Sequence, residues 1–90
     1  MVQQFDGFAI FDDKGEVKRL LDSLIQAKDP QVRIDSMRKL DYSYIFTLSK
    51  RVRIGEVELI RPEIEASWDW RKGNIDSTLR KKIENTIAEL

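Results

Sequence analysis

Two glutamate pairs, Glu56 with Glu58 and Glu63 with Glu65, are the residues whose type and spacing could do chemistry in this chain. Residues two apart on a strand project from one face, so each pair would present its carboxylates side by side. Such a pair can bind Mg²⁺ or Ca²⁺ where further oxygens arrive from elsewhere in the fold. It can also divide the roles of acid and base. The remaining residues offer little help. The 90-residue sequence has no histidine and no cysteine, which removes the commonest general base, the commonest transition-metal ligand and any thiolate or disulfide. Neither a glycine-rich phosphate loop nor a nucleophile beside a base accompanies the carboxylates. The expectation is a non-enzymatic protein with no catalytic residues, metal site, cofactor or small-molecule substrate.

The second chemically suggestive group is cationic: Arg71, Lys72, Arg80, Lys81 and Lys82. A helix beginning near Asn74 or Asp76 would hold Arg80, Lys81 and Lys82 in its first turns, where the macrodipole disfavours positive charge. Contact with phosphate would give these cations a reason to be there, and a solubilising helix surface is the simpler one. Overall charge gives no support to a general attraction for nucleic acid, because 16 basic and 16 acidic residues cancel. Aromatic residues could stack bases beside the cations. However, Tyr42, Tyr44, Phe46, Trp68 and Trp70 all keep an apolar alternation that predicts core. Trp70, last in its predicted strand, is the one expected at the surface.

The elements that would position these residues follow from periodicity. Asp13 and Glu16 have the spacing of a capping box, and Val17, Leu20, Leu21, Leu24 and Ile25 then mark one face of a helix. Pro30 ends that helix near Lys28. A strand is predicted over 31–38 from Val32 and Ile34, with Met37 and Arg38 blurring its alternation. Tyr42, Tyr44, Phe46, Leu48, Lys50, Val52 and Ile54 predict one long strand, with Ile45 the isoleucine on its outer face. After Arg61-Pro62 the phase changes, and Ile64, Ala66, Trp68 and Trp70 predict a further edge strand. Gly73-Asn74 marks a turn into a last helix with Ile75, Leu79, Ile83, Ile87 and Leu90 on one stripe. Phe8 to Phe11 reads as a short strand or as an arm over the core, within residues 1–12.

Between the central strands lies RVRIGEVE, residues 51–58, in which arginines flank one valine and glutamates the other. Folded back at Gly55, it would pair Val52 with Val57 inside, and Arg53 with Glu56 and Arg51 with Glu58 outside. Each opposite-charge pair would contribute roughly 0.2–1 kcal/mol. A two-residue Ile54-Gly55 loop fits neither primed turn because isoleucine resists positive φ, so a longer loop or a bulge at Gly55 would shift the pairing by one. Residues 31–54 carry six cations against two carboxylates, and residues 55–70 five carboxylates against one cation. The hairpin is expected to cancel most of this polarity. If it does not, a basic and an acidic sheet edge remain, able to steer a partner or discourage strand pairing.

The prediction is one α+β domain over 1–90, a two-layer sandwich in the order (β)-α-β-β-β(-β)-α with both helices on one face of an antiparallel sheet. Leu79-Arg80-Lys81-Lys82 near the start of the last helix, with that order of elements, resembles the double-stranded RNA-binding domain. The resemblance implies RNA contact through Arg71, Lys72, Arg80, Lys81 and Lys82, although that family's histidine-bearing loop has no counterpart here. If residues 8–11 form a strand, the order and the tail from Glu63 to Leu90 also resemble the small ribosome-hibernation factors. The primary expectation is a protein-binding module, with another protein or a second copy of itself as partner and Arg61, Glu63, Glu65, Asp69 and Trp70 as its contact residues. No apolar run approaches the roughly 18 residues that span a bilayer. The start, MVQQFDGFAIFDDK, lacks the pattern of a signal peptide. A cytoplasmic protein is expected.

Overall fold

A computed structural model describes residues 10–90. A 3-10 turn over Ile10–Asp12 leads into helix α1 (Lys14–Lys28). Strands β1 (Arg33–Lys39), β2 (Ser43–Lys50) and β3 (Arg53–Ile60) follow. The chain then forms a short helix α2 (Arg61–Glu65), a second 3-10 turn over Trp70–Lys72, and helix α3 (Ser77–Ala88). The strands make one antiparallel sheet in the order β1-β2-β3, and α1 and α3 pack on each other and against it. This is the expected α+β architecture. The strand-or-arm expectation for residues 8–11 lies partly outside the described residues. Within them, Ile10 and Phe11 are buried in the 3-10 turn.

Helix α1 follows its sequence signals closely. The Asp13 side chain accepts from the Glu16 amide at 3.0 Å, and Val17, Leu20, Leu21, Leu24 and Ile25 are all buried. The chain is extended at Asp29, before Pro30, and the helix stops at Lys28. Helix α3 is capped by Asp76, which accepts from the Leu79 amide at 2.9 Å, and it buries Leu79, Ile83 and Ile87. In β1 the pairing steps from Ile34 opposite Leu48 to Ser36 opposite Thr47, leaving Asp35 as the extra residue of a bulge. The bulge turns Met37 inward, and its displacement is the reason the alternation blurs in the sequence.

The predicted fold-back at Gly55 is corrected. Lys50 pairs with Arg53, so the two-residue loop is Arg51-Val52, and β2 ends four residues earlier than the predicted long strand. Val52 is 94% exposed rather than inward. Neither Arg53–Glu56 nor Arg51–Glu58 forms a cross-strand pair; Glu56 faces Thr47 and Glu58 faces Ile45. Apolar matching decides the register. The observed pairing sets Tyr44 opposite Leu59 and Phe46 opposite Val57, all four buried. The charge-matched register would instead have set Leu48 opposite Arg61. Fully burying one such side chain is worth about 1.5–3 kcal/mol, more than either ion pair offers. The loop has a local cost, because Arg51 takes a left-handed φ of 58°, worth about 1–2 kcal/mol for a residue other than glycine. Gly55 serves another purpose. A Cβ there would lie 3.3 Å from side-chain atoms of both Thr86 and Leu90, so its absence lets α3 approach β3.

The predicted edge strand over 64–70 is also corrected. Pro62 sits in the first turn of α2, where its missing N–H is not needed. The Glu63 carboxylate accepts from the Ile60 amide at 3.0 Å, closing the start of the helix. Ile64 and Ser67 are fully buried, an i, i+3 spacing in place of the even alternation. The aromatic expectations divide accordingly. Tyr44 and Phe46 are buried, but Tyr42 is 73% and Trp68 62% exposed. Trp70, expected at the surface, is half-buried against the core with the Arg71 guanidinium 4.4 Å from its ring.

Tyr44 carries a testable pH signature. It is fully buried, and its hydroxyl donates to the Phe11 carbonyl. Burial pushes its phenol above the ordinary value of 10.0, with the Asp12 and Asp13 carboxylates adding to the rise. A raised pKa means that this contribution to stability is complete below pH 10 and is lost as pH climbs through the folded-state value. Tyr44→Phe is expected to cost about 1–2 kcal/mol at pH 7 through the unpaired carbonyl and to flatten the alkaline fall. Urea midpoints of both proteins between pH 7 and 11.5 test this, and parallel profiles would count against it.

Candidate functional site

The five residues expected to contact protein do not share a strand edge. Arg61 and Glu65 pair with each other across one turn of α2 at 2.7 Å, both half-buried. Glu63 is buried and engaged from two sides, by the Ile60 amide and by the Lys82 ammonium at 2.9 Å. The Asp69 carboxylate accepts from the Asn74 side chain, and Trp70 packs inward. Of this set, Arg61, Glu65 and Asp69 reach solvent with charge, while Glu63 is committed to the fold.

The cationic set is divided in the same way. Arg71 reaches back to helix α1, where its guanidinium donates to both oxygens of the Glu16 carboxylate. Lys82 is held by Glu63 and also donates to the Glu58 backbone carbonyl at 3.1 Å. Lys72, Arg80 and Lys81 remain exposed and make no ion pair among the described residues. Electrostatics elsewhere follow the same economy. Arg71, against a smaller opposing effect of burial, and Arg19 hold the Glu16 carboxyl below its ordinary range. Lys50 at 2.6 Å, helped by the Gln31 amide, does the same for Asp29. Both are surface pairs that acid releases, since a lowered carboxylate pKa gives stability that fades as pH falls through it.

The glutamate pairs do not assemble a chelate. Glu58 accepts from the Ser43 hydroxyl at 2.7 Å, and no group of three potential ligands converges among the described residues. What the structure gathers instead is the outer face of the sheet. The inward rows carry Tyr44, Phe46, Leu48, Val57 and Leu59 against the helices. The outward rows carry Ile45 and Thr47 on β2, Arg33 and Arg38 on β1, and Ile54, Glu56, Glu58 and Ile60 on β3. Apart from Ser43, no described residue on this face is buried, and none of the described helices lies on it. Ile54 is 70% and Ile60 40% exposed.

The face thus carries Ile45 among Ser43, Thr47 and Ser49 along its middle, arginines along β1, and on β3 two central glutamates with Ile54 and Ile60 at the ends. The cancellation expected across the hairpin does not take place there, because β1 and β3 lie on opposite sides of β2. The sequence alone signalled part of this surface, in Ile45 on the outer row and in the opposite charge of the two blocks. Ile54 and Ile60 were hidden by the misplaced turn. Arg38 was hidden by the bulge, which returns it to the outer row. Among the described residues no helix is long and apolar enough to cross a membrane. Comparison with protein-family models, with curated proteins and with solved structures finds no match to this chain.

Proposed function

We propose that this chain is a small non-catalytic binding module whose partner is protein, engaged through the outer face of the sheet. One observation carries the reading: Ile45, Ile54 and Ile60 stand on a face that no described helix covers, with Arg33 and Arg38 along its β1 side and Glu56 and Glu58 between the two isoleucines of β3. Exposed apolar side chains grouped on one face and rimmed by charge mark an interaction surface more often than isolated ones do. The charged rows would orient the partner and set the rate of encounter more than the final affinity. An RNA-binding reading has less support, since Arg71 and Lys82 are already held by carboxylates and three cations remain.

Affinity capture from native extract tests the proposal, with wild type compared against the surface variant Ile45→Lys/Ile54→Lys. A defined protein retained by wild type, lost with the variant and indifferent to nuclease is the expected result. Identical profiles for the two baits, or retention abolished by nuclease, would reject it. Unchanged thermal melting of the variant, to within a few degrees, shows that the loss is one of surface and not of fold.

A further inference from the structure

The charge pattern of the outer face specifies a partner: we infer that a second copy of this chain docks on it, sheet against sheet, about a two-fold axis running along β2. The inference rests on the same face as the proposed function and adds the identity of one occupant. Across the sheet, Arg38, Ile45 and Glu58 form one row, Ser36, Thr47 and Glu56 the next, and Arg33, Ser49 and Ile54 a third. Rotation about an axis parallel to the strands brings β1 of one copy over β3 of the other and keeps the rows level. Arg38 then faces Glu58 of the second copy, Glu58 faces its Arg38, and Ile45 and Thr47 meet their own equivalents at the centre. Each contact is made twice, as an isologous interface requires.

The charges also exclude the other in-plane two-fold. An axis across the strands would lay β1 on β1 and β3 on β3, setting arginines against arginines and glutamates against glutamates. Aligned sheets pack about 10 Å apart with strands crossing at roughly 30°. At that spacing an arginine and a glutamate reaching from opposite sheets can meet, especially near the centre of the face, where the crossing displaces them least. Both members of that pair are available: Arg38 is exposed and makes no ion pair among the described residues, and Glu58 is exposed with only the Ser43 hydroxyl on its carboxylate. In the other two rows Glu56 meets Ser36 and Arg33 meets Ile54, so no like charges are opposed.

Size sets the strength. Strands about 4.8 Å apart and about 3.3 Å per residue give the face a footprint of roughly 350–400 Å² per copy. Even allowing for side-chain relief, the pair buries less than the roughly 1,200 Å² of a standard stable interface. The dimer is therefore weak and reversible, with a dissociation constant on the order of tens to hundreds of micromolar, and salt loosens it.

Sedimentation equilibrium of the full chain from about 20 µM to 1 mM, at low and at high salt, is the test. Wild type is expected to dimerise with concentration, more tightly at low salt. Arg38→Glu and Glu58→Arg are each expected to weaken self-association at least tenfold. An equimolar mixture of the two should restore it. The carboxylate introduced by Arg38→Glu on one copy then faces the guanidinium introduced by Glu58→Arg on the other, while the unchanged Glu58 and Arg38 also pair. Arg38→Glu alters an exposed side chain without a described hydrogen bond, so it remains decisive should Glu58→Arg disturb the fold. A wild-type chain monomeric at 1 mM in low salt overturns the inference, as does a dimer indifferent to both substitutions or a mixture no tighter than its components. If wild type stays monomeric yet captures a protein that Ile45→Lys/Ile54→Lys loses, the dimer fails while the binding face stands.

Discussion

Replacing Phe11 by alanine is expected to destabilise the fold by about 3–5 kcal/mol, the range for removing a fully buried phenylalanine side chain. Phe11 belongs to neither the sheet nor a long helix, yet it is completely buried. Its ring meets Tyr44 edge-on with centroids 4.9 Å apart, and its carbonyl accepts from the Tyr44 hydroxyl. The Lys39 ammonium lies 4.6 Å and the Arg61 guanidinium 5.3 Å from the ring centre, on β1 and α2 respectively. One side chain therefore joins the start of the described chain to the sheet and to the segment after it. For a domain of this length, whose total stability is roughly 5–13 kcal/mol, the loss is about a quarter of the whole at the least. Urea unfolding followed by tryptophan fluorescence should show a midpoint lower by roughly 2–4 M. Phe11→Leu, which keeps most of the apolar volume, should lose about 1 kcal/mol. A shift below about 0.5 M for Phe11→Ala would mean that the ring is not packed where the structure puts it.

The two long helices were legible in the sequence because local and tertiary preferences agree there. Asp13 and Asp76 cap, Pro30 stops, and the apolar stripes that the spacing marks are the faces that become buried. The hairpin was legible as a hairpin but not in its register. Alternation from Tyr42 to Ile54 runs unbroken through the true loop at Arg51-Val52, because a two-residue loop of ordinary side chains leaves no glycine or asparagine to mark it. Gly55 drew the turn to itself, while the reason for a glycine there is the approach of Thr86 on α3 and of Leu90 just beyond it, both remote in sequence. Helix α2 was missed for the opposite reason. Its start signals, Pro62 and Glu63, were present, but five residues are too few to establish a helical period against the even spacing of Ile64, Ala66, Trp68 and Trp70.

The candidate site was less legible than the fold, since a face is defined by pairing rather than by local pattern. Arg38 joins the outer row only because Asp35 bulges, and Ile54 becomes a surface residue only because the chain turns before it. The contact residues read from the chain between Arg61 and Trp70 assumed a strand edge, and without that edge their side chains disperse over a helix and two turns. Charge composition was informative in kind but not in place. On the outer face Arg33 and Arg38 do lie apart from Glu56 and Glu58, yet β2 separates them and what remains is a polarised face rather than cancelled pairs.

Glu63 illustrates how the same chemistry changes meaning once the fold is known. Glu63→Ala is expected to lose about 2–4 kcal/mol, combining a helix-start interaction of about 1 kcal/mol with a charge-assisted hydrogen bond of about 1.5–3 kcal/mol. Its side chain is only 8% exposed, and it links the end of β3, through the Ile60 amide, to Lys82 on α3. Lys82 is 35% exposed and retains the Glu58 carbonyl, so the orphaned ammonium can turn towards water and the loss stays below that of a fully buried pair. Glu63→Gln keeps an acceptor for Ile60 and should lose less than alanine. Lys82→Met leaves the carboxylate buried without its cation and should cost nearly as much as Glu63→Ala. The double variant Glu63→Gln/Lys82→Met removes the charge from both sides and should be more stable than the sum of its single losses by at least about 1 kcal/mol. Chemical denaturation of the four proteins measures that coupling. Additive losses would mean that Glu63 and Lys82 do not act as a pair.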